Sequence, residues 1–120
     1  MLVVEDDIGV RAPTRALFND LGYEVVEAAN ARAALAIMDR GDPITLVFTD
    51  VIMPGGMNGV ELANAITQRQ PDVPVLLTSG YTAQRLIPDS VTRTWPILRK
   101  PYTQNDLSRA VNETLNRAAE

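Results

Sequence analysis

Short apolar runs rich in β-branched residues alternate with segments of helical periodicity along the whole chain. The apolar runs lie at 2–4, 23–27, 44–49, 73–78 and 95–99. The segments between and after them repeat apolar residues at intervals of three and four, which is the spacing of a buried helix face. This alternation is typical of βαβ units, in which helices cover a parallel sheet. We therefore predict an α/β fold of five strands and five helices that fills residues 1–120 as a single domain.

Helix-capping and helix-breaking residues mark the ends of the predicted helices. They are Gly22, Asn30, Gly41, Pro71, Pro88 and the capping box from Thr103 to Asp106. Pro88 would stop a short fourth helix over 81–87. Pro13 conflicts with the first helix, because proline removes an amide donor from a helix interior. Either that helix starts late or its first turn is distorted.

The composition excludes several classes of function. The formal net charge of −4 argues against a nucleic-acid partner, which needs clustered lysine and arginine. The chain has no cysteine, so it forms no disulfide or thiolate metal site. It also has no histidine, which excludes a histidine base, a histidine metal ligand and a phosphohistidine. No apolar run approaches the roughly 18 residues that span a bilayer, so we expect a cytoplasmic protein with no membrane partner.

Polar side chains follow four of the five predicted strands at their carboxyl ends. Three acids follow the first strand, one acid follows the third, a hydroxyl ends the fourth and an ammonium follows the fifth. These residues are Glu5, Asp6, Asp7, Asp50, Thr78 and Lys100. The second strand is followed only by alanines. Because open parallel sheets bind their ligands at the carboxyl ends of the strands, we predict that the six side chains share one crevice.

The four acids predict a site for a hard divalent cation. Carboxylates placed this close together repel one another unless a cation lies among them. Oxygen ligands completed by several waters suit Mg²⁺. The alternative is that the acids after the first strand cap the first helix, where anions favour the positive end of the helix dipole. For Asp7 both interpretations are open, whereas for Asp6 we favour the metal.

Asp50, Thr78 and Lys100 together suit phosphoryl chemistry. A carboxylate at the end of an apolar strand can coordinate metal and attack phosphorus as a nucleophile. The Thr78 hydroxyl can donate a hydrogen bond to a phosphoryl oxygen, and the Lys100 ammonium supplies positive charge for the same oxygens. Taken singly, each would be an ordinary loop or surface residue, so the prediction depends on the set.

Four ordered motifs resemble the receiver-domain family of response regulators, and the resemblance covers the whole chain. The motifs are Leu-Val-Val-Glu-Asp-Asp from residue 2, Thr-Asp-Val-Ile-Met-Pro-Gly-Gly-Met-Asn-Gly from residue 49, Leu-Leu-Thr-Ser-Gly-Tyr from residue 76 and Leu-Arg-Lys-Pro-Tyr from residue 98. The resemblance implies a flavodoxin-like three-layer sandwich whose parallel strands follow the order 2-1-3-4-5. The second and third motifs look most like receivers that are attached to, or work with, hybrid sensor kinases.

The resemblance also implies a phosphoryl-transfer role for three residues. Asp50 matches the aspartate that takes a phosphoryl group from the phosphohistidine of a sensor histidine kinase or phosphotransfer protein. Thr78 and Lys100 match the hydroxyl and the ammonium that hold the phosphoryl oxygens. The reaction implied is Mg²⁺-dependent, and slow autodephosphorylation follows it. The chain is then a phosphoacceptor signalling module and not an enzyme with a separate substrate.

The metal ligands are carried over from the family in the same way. Asp6 matches the direct carboxylate ligand, and Glu5 matches the acid that binds through water. Asp50 itself is a further ligand, and the backbone carbonyl of Ile52 matches the third protein ligand. The cofactor implied by the resemblance is therefore Mg²⁺.

One position departs from the family pattern. Receivers commonly carry Tyr or Phe three residues before the lysine, where Ile97 stands here. Trp95 is two residues earlier on the same predicted strand face, but we expect it to have a core or edge role and not to replace the switch. The departure concerns signal output and leaves phosphorylation unaffected. A homodimer through the face of the fourth helix, fifth strand and fifth helix is among the partners that the family allows.

Two other classes of function are open to a chain with these residues. A phosphatase of the haloacid-dehalogenase type also uses an aspartyl phosphate, a hydroxyl and a lysine. Such an enzyme needs a second aspartate two residues after the nucleophile, where this chain has Ile52, and a cap domain, which it lacks. The second alternative is a pure interaction module that never turns over phosphate, and the complete set of acids, Thr78 and Lys100 argues against it.

Overall fold

The computed structural model describes residues 1–53, 56–80 and 87–119, and of residues 118 and 119 it describes the backbone only. Its strands are β1 (Leu2–Val4), β2 (Val26–Ala28), β3 (Val47–Asp50), β4 (Val75–Ser79) and β5 (Ile97–Arg99). Its helices are α1 (Ile8–Asp20), α2 (Ala31–Asp39), α3 (Gly59–Arg69), α4 (Asp89–Thr94) and α5 (Gln104–Ala119). No helix in the described part of the chain is long and apolar enough to span a membrane.

The five strands form one parallel sheet in the order β2-β1-β3-β4-β5. This is the flavodoxin-like arrangement, so the predicted fold class and strand order are confirmed. The register between β3 and β4 places Asp50 opposite Thr78, and the register between β4 and β5 places Ser79 opposite Arg99. The residues that follow these strands therefore emerge at a single edge of the sheet.

Two apolar cores cover the two faces of the sheet, because successive strand residues point to opposite sides. In β1, Leu2 and Val4 belong to the core on one face, and Val3 belongs to the core on the other. All three are buried, as expected for a strand covered on both faces. The second core includes an edge-to-face contact between Phe18 of α1 and Phe48 of β3, with ring centroids 5.4 Å apart.

Local capping starts three of the helices where the sequence predicts. The Asn30 side chain accepts a hydrogen bond from the Ala33 amide at the start of α2. Asn58 and Glu61 form a reciprocal capping box on α3. At the start of α5, the Thr103 amide donates to the Asp106 side chain at 3.0 Å and the Asp106 amide donates to the Thr103 hydroxyl at 3.1 Å. These caps act within four residues, which is why sequence alone locates them.

Helix α1 begins at Ile8, and Pro13 lies inside it. The expectation of a late start is therefore wrong. Asp7 is the N-cap, and its Oδ1 accepts a hydrogen bond from the Gly9 amide at 2.8 Å. A proline at this place removes the hydrogen bond that its amide would donate to the carbonyl four residues earlier. The cap and the packing of Phe18 maintain the helix despite that loss.

The structure contains a helix that the sequence did not predict, and its fifth strand starts later than predicted. Residues 81–86 of the helix predicted over 81–87 lie outside the described residues. The structure has α4 at Asp89–Thr94, with Pro88 as its N-cap. Pro88 can precede a helix because the amides at the start of a helix have no acceptor within the helix. The missing amide of proline therefore costs no hydrogen bond at this position. Trp95 is the C-cap of α4, and its side chain is buried in the core, as the sequence interpretation expected. The strand predicted to start at Trp95 begins only at Ile97.

Strands β2, β3 and β4 also begin two or three residues later than predicted, whereas β1 has the predicted bounds. The apolar runs at 23–27, 44–49 and 73–78 become strands that start at Val26, Val47 and Val75. Pro74 and Pro96 directly precede β4 and β5 and have no amide to donate to a neighbouring strand, so the ladder starts after them. Leu46 is nevertheless fully buried although β3 begins only at Val47.

Candidate functional site

The carboxyl ends of β1, β3, β4 and β5 place four functional side chains around one small crevice. Glu5 directly follows β1, Asp50 is the last residue of β3, Thr78 lies in β4 and Lys100 directly follows β5. The end of β2 contributes no polar group to this crevice. Its walls are apolar side chains of β1 and β3, together with Thr14 and Tyr102. The site therefore combines carboxylates, a hydroxyl and an ammonium on rigid strand ends.

Both oxygens of the Asp50 carboxylate have fixed donors. Lys100 Nζ lies 2.6 Å from Oδ2, and the Ile52 amide donates to Oδ1 at 3.1 Å. The backbone is held as well, because the Val51 amide donates to the Thr78 carbonyl at 2.9 Å and extends the sheet ladder. Only 8% of Asp50 is exposed. The carboxylate is therefore oriented before any ligand arrives, and one edge of it faces the crevice.

Glu5 is the second acid of the crevice and is only 6% exposed. Its Oε2 lies 3.6 Å from Lys100 Nζ, and its Oε1 accepts a hydrogen bond from the Asp7 amide at 3.2 Å. Burial and the neighbouring Asp50 carboxylate raise the pKa of Glu5 to about 7, although the Asp7 amide and the Lys100 charge oppose the shift. One ammonium therefore does not fully neutralise the two acids.

Lys100 is shared between the two acids. Burial alone would lower the pKa of its ammonium, but the hydrogen bond to Asp50 and the charges of Asp50 and Glu5 raise the pKa above its usual value. The lysine is consequently charged at neutral pH and can move only a short way from Asp50. Its backbone is fixed because its amide donates to the Ser79 carbonyl at 2.9 Å.

The hydroxyl of Thr78 is buried and has no hydrogen-bond partner among the described residues. A buried donor without a partner costs free energy, which makes this hydroxyl a ready donor to an oxygen placed at Asp50, directly opposite in the register. Ser79 has a second buried hydroxyl without a described partner. It belongs to the other face of the sheet, because neighbouring strand residues alternate.

The structure places the other predicted site residues at the rim. Asp6 is exposed, and no hydrogen bond or ion pair joins its side chain to Asp50 or Lys100 within the described ranges. Asp7 is the α1 cap, which supports the capping interpretation for this acid. The Ile52 side chain is exposed, and its amide contacts Asp50. Over those same residues, no three acids are close enough together to hold a metal ion.

The donor set nevertheless suits a hard divalent cation. Glu5 and Asp50 are buried acids close enough that the Asp50 carboxylate helps to raise the pKa of Glu5. Asp6 adds a carboxylate on the residue next to Glu5, and the carbonyl of Ile52 is two residues from Asp50. Carboxylate and carbonyl oxygens without nitrogen or sulfur are ligands of the kind that Mg²⁺ binds.

Three residues near the crevice were not predicted to belong to the site. The Arg11 guanidinium donates to the Glu5 carbonyl at 2.9 Å. The Tyr102 hydroxyl lies 3.3 Å from the Thr14 hydroxyl, and the Tyr102 ring is 5.9 Å from that of Phe48. Burial raises the pKa of Tyr102. The contact between Thr14 and Tyr102 spans 88 residues of sequence, and such a contact has no local signal.

Ile97 is the first residue of β5, and its side chain is partly buried against the core that contains Trp95. A β-branched side chain stands where an aromatic ring is common in the family that the sequence resembles. The aromatic ring of Tyr102 instead lines the crevice itself, on the opposite face of the sheet. Ile97 therefore contributes packing and no polar group.

Comparison with known proteins identifies the family. Residues 1–112 match the family model described as the response regulator receiver domain. The response regulator receiver protein CpdR of Brucella abortus is 32% identical over 116 residues, which is 96% of this chain and 95% of CpdR. The sensor kinase CckA of the same organism is 32% identical over 98% of this chain, which spans only 12% of that kinase.

Solved structures agree with the sequence comparison. A crystal structure of a response regulator receiver domain protein from Clostridium thermocellum matches with a TM-score of 0.86 and 28% identity. The match covers 98% of this chain and 94% of that chain. The sequence motifs, the strand order and the placement of the acids, the hydroxyl and the lysine all agree with these matches. The chain belongs to the response regulator receiver domain family of two-component signalling proteins.

Proposed function

We propose that this domain accepts a phosphoryl group on Asp50 from the phosphohistidine of a sensor kinase or phosphotransfer protein. The observation that carries the proposal is the arrangement around Asp50. Lys100 Nζ lies 2.6 Å from its carboxylate, and the buried Thr78 hydroxyl without a described partner stands opposite it in the sheet. A nucleophile, a fixed positive charge and a free hydroxyl donor are the groups that an aspartyl phosphate needs.

The transfer step follows from these positions. A carboxylate oxygen of Asp50 attacks phosphorus and forms the new oxygen–phosphorus bond, while the phosphorus–nitrogen bond of the donor breaks and its imidazole leaves and takes up a proton. Lys100 and Thr78 then hold the phosphoryl oxygens. Slow autodephosphorylation reverses the modification, because attack of water on phosphorus releases phosphate and restores the carboxylate.

We assign the Mg²⁺ ligands to Asp6, Asp50 and the Ile52 carbonyl, with Glu5 bound through water. The bound ion would supply positive charge to the phosphoryl oxygens in addition to that of Lys100. The two buried acids already have fixed donors, so cation binding needs little rearrangement of Glu5 and Asp50. Asp6 is exposed and would supply its carboxylate from the rim of the crevice.

The comparisons support a kinase or phosphotransfer partner. The chain is similar to a segment of the sensor kinase CckA and to the sporulation initiation phosphotransferase F of Bacillus subtilis, which is 31% identical over 75% of this chain. The phosphoryl donor must carry the histidine that this chain lacks. The face formed by α4, β5 and α5 is the surface through which a homodimer would form. A phosphatase of the haloacid-dehalogenase type fits less well, because the exposed Ile52 offers no acid or base.

Acetyl phosphate and Mg²⁺ provide a direct test. The wild-type chain should gain one phosphoryl group in intact mass, and borohydride trapping should map it to Asp50. Asp50→Ala should abolish the gain, whereas Asp72→Ala, which removes an exposed acid before β4, should retain it. Unchanged labelling of Asp50→Ala would refute the assignment of the acceptor.

A further inference from the structure

Arg11 is a largely buried cation next to the acidic end of β1, and nothing in the proposed reaction uses it. Only 15% of its side chain is exposed. Its Nη1 donates to the Glu5 carbonyl at 2.9 Å, and its Nε lies 3.6 Å from Glu27 Oε1 on β2. Burying a guanidinium is costly unless its position is fixed by partners, so its contact with a backbone carbonyl is a specific feature of this site.

The contact fixes the peptide group that joins Glu5 to Asp6. The Glu5 amide donates to the Ala28 carbonyl at 3.1 Å, which holds the residue to β2. The Glu5 carbonyl accepts from Arg11 on the other side of the residue. The orientation of this peptide determines the position of the Asp6 Cα atom and the direction in which its side chain leaves the backbone. A rotation of the peptide would therefore move Asp6 relative to Asp50.

We propose that Arg11 is a positioning residue for the Mg²⁺ site, acting through the Glu5–Asp6 peptide and not by contact with the ion. The inference rests on the proposed function, because it presumes that Asp6 and Glu5 bind Mg²⁺. It adds a role for an arginine that is not itself a metal ligand. Residues that orient metal ligands commonly change metal affinity by about 10- to 100-fold when they are replaced.

The sign of the effect separates positioning from simple electrostatics. Removal of a positive charge near several acids should strengthen cation binding, because less repulsion opposes the ion. Loss of a positioning contact should weaken binding, because the acids must then be ordered when the ion binds. Arg11→Met removes both the positive charge and the positioning contact, so it tests the two effects together. Arg11→Lys keeps the positive charge but loses the planar, forked set of donors of arginine, so it tests the positioning contact.

Arg15 provides a matched control on the same helix. It is one turn beyond Arg11, and its Nη1 pairs with the other oxygen of Glu27 at 3.2 Å. Its side chain is 55% exposed. Among the described contacts of Arg15, none reaches Glu5. Arg15→Met therefore removes the same charge and the same acid partner without releasing the Glu5–Asp6 peptide.

The experiment is a calorimetric Mg²⁺ titration of the wild type and the three variants, with melting curves to confirm folding. We expect Arg11→Met to bind Mg²⁺ roughly 10-fold more weakly, at the low end of the range for orienting residues. Arg11→Lys should also weaken binding, and Arg15→Met should match the wild type or bind slightly more tightly. In metal-free protein, the amide NMR signal of Asp6 should shift more in Arg11→Met than in Arg15→Met.

Unchanged or tighter Mg²⁺ binding by folded Arg11→Met would overturn the inference about Arg11 and would leave the proposed metal site intact. If Arg11→Met does not fold, Arg11→Lys decides in the same way, because it keeps the buried charge. If the wild type binds no Mg²⁺, the proposed metal site fails and the inference fails with it. Equal weakening in Arg11→Met and Arg15→Met would show that Glu27 pairing, and not the Glu5 carbonyl, carries the effect, and would also overturn it.

Discussion

Replacement of Glu5 by glutamine should stabilise the metal-free protein at alkaline pH. Burial and the Asp50 carboxylate raise the pKa of Glu5 from 4.5 to about 7. The folded state therefore binds the Glu5 proton more tightly than the unfolded state does. At low pH the protonated acid makes its full contribution to the free energy of unfolding, and this contribution is lost as the pH rises from 4.5 through about 7. Above pH 7 the ionised Glu5 is a net cost to the fold.

The magnitude follows from the same two values. At about 1.4 kcal/mol for each pH unit between 4.5 and about 7, the ionisation of Glu5 costs at most ~3 kcal/mol at pH 8. Relaxation of the coupled acids makes ~1–2 kcal/mol the expected gain for Glu5→Gln. The amide oxygen of glutamine can still accept the hydrogen bond of the Asp7 amide. The lost attraction to Lys100, 3.6 Å away, is already included in the raised pKa.

Urea unfolding with a chelator present, at pH 5 and pH 8, measures the effect. The single tryptophan, Trp95, is 9% exposed and reports the loss of the core by fluorescence. Glu5→Gln should exceed the wild type in free energy of unfolding at pH 8, and the difference should shrink at pH 5. The exposed Glu113→Gln should stay within about 0.5 kcal/mol of the wild type at both values. A Glu5→Gln protein that is less stable than the wild type at pH 8 would refute the reasoning.

Three further predictions follow from the site. Mg²⁺ should raise the melting temperature of the wild type by mass action; Asp6→Ala should lose most of that rise, and Asp7→Ala should keep it while losing ~1 kcal/mol of capping. Thr78→Val should leave the melting temperature almost unchanged, because the hydroxyl has no described partner, yet slow labelling by acetyl phosphate about 10-fold or more; equal rates would contradict the role of the hydroxyl. With a beryllofluoride mimic, amide NMR shifts should concentrate in the loops after β3 and β4, because Ile97 is stiff and has no ring to swing; large shifts centred on 95–99 and α5 would contradict this.

The sequence predicted the architecture well because the signals are local. Strand and helix alternation decides the fold class, and caps such as Asn30 and Asn58 act within a few residues of themselves. The errors arose where two local signals compete. Pro88 could end one helix or precede the next, and Leu46 is fully buried although β3 begins only at Val47.

The site was predictable only in its strand-end residues. Asp50 ends β3, Thr78 is the last residue but one of β4 and Lys100 follows β5, and a parallel sheet brings such ends together. The role of Arg11 depends on a side chain that reaches the carbonyl of Glu5 across a turn, and no residue pattern predicts that contact. Asp7 had two open interpretations, and only the geometry at the start of α1 supports the cap.

The electrostatic cost of the two buried acids and the predicted chemistry have the same physical origin. The fold holds Glu5 and Asp50 close together in a buried crevice, where one lysine is shared between them at 3.6 and 2.6 Å. A chain selected for stability alone would replace one of these acids, as the expected gain for Glu5→Gln illustrates. Retaining both acids makes sense if a divalent cation supplies the missing positive charge during the reaction. The free energy lost in the metal-free fold is then regained as Mg²⁺ affinity, which predicts that the variants that stabilise this crevice most are those that bind Mg²⁺ least.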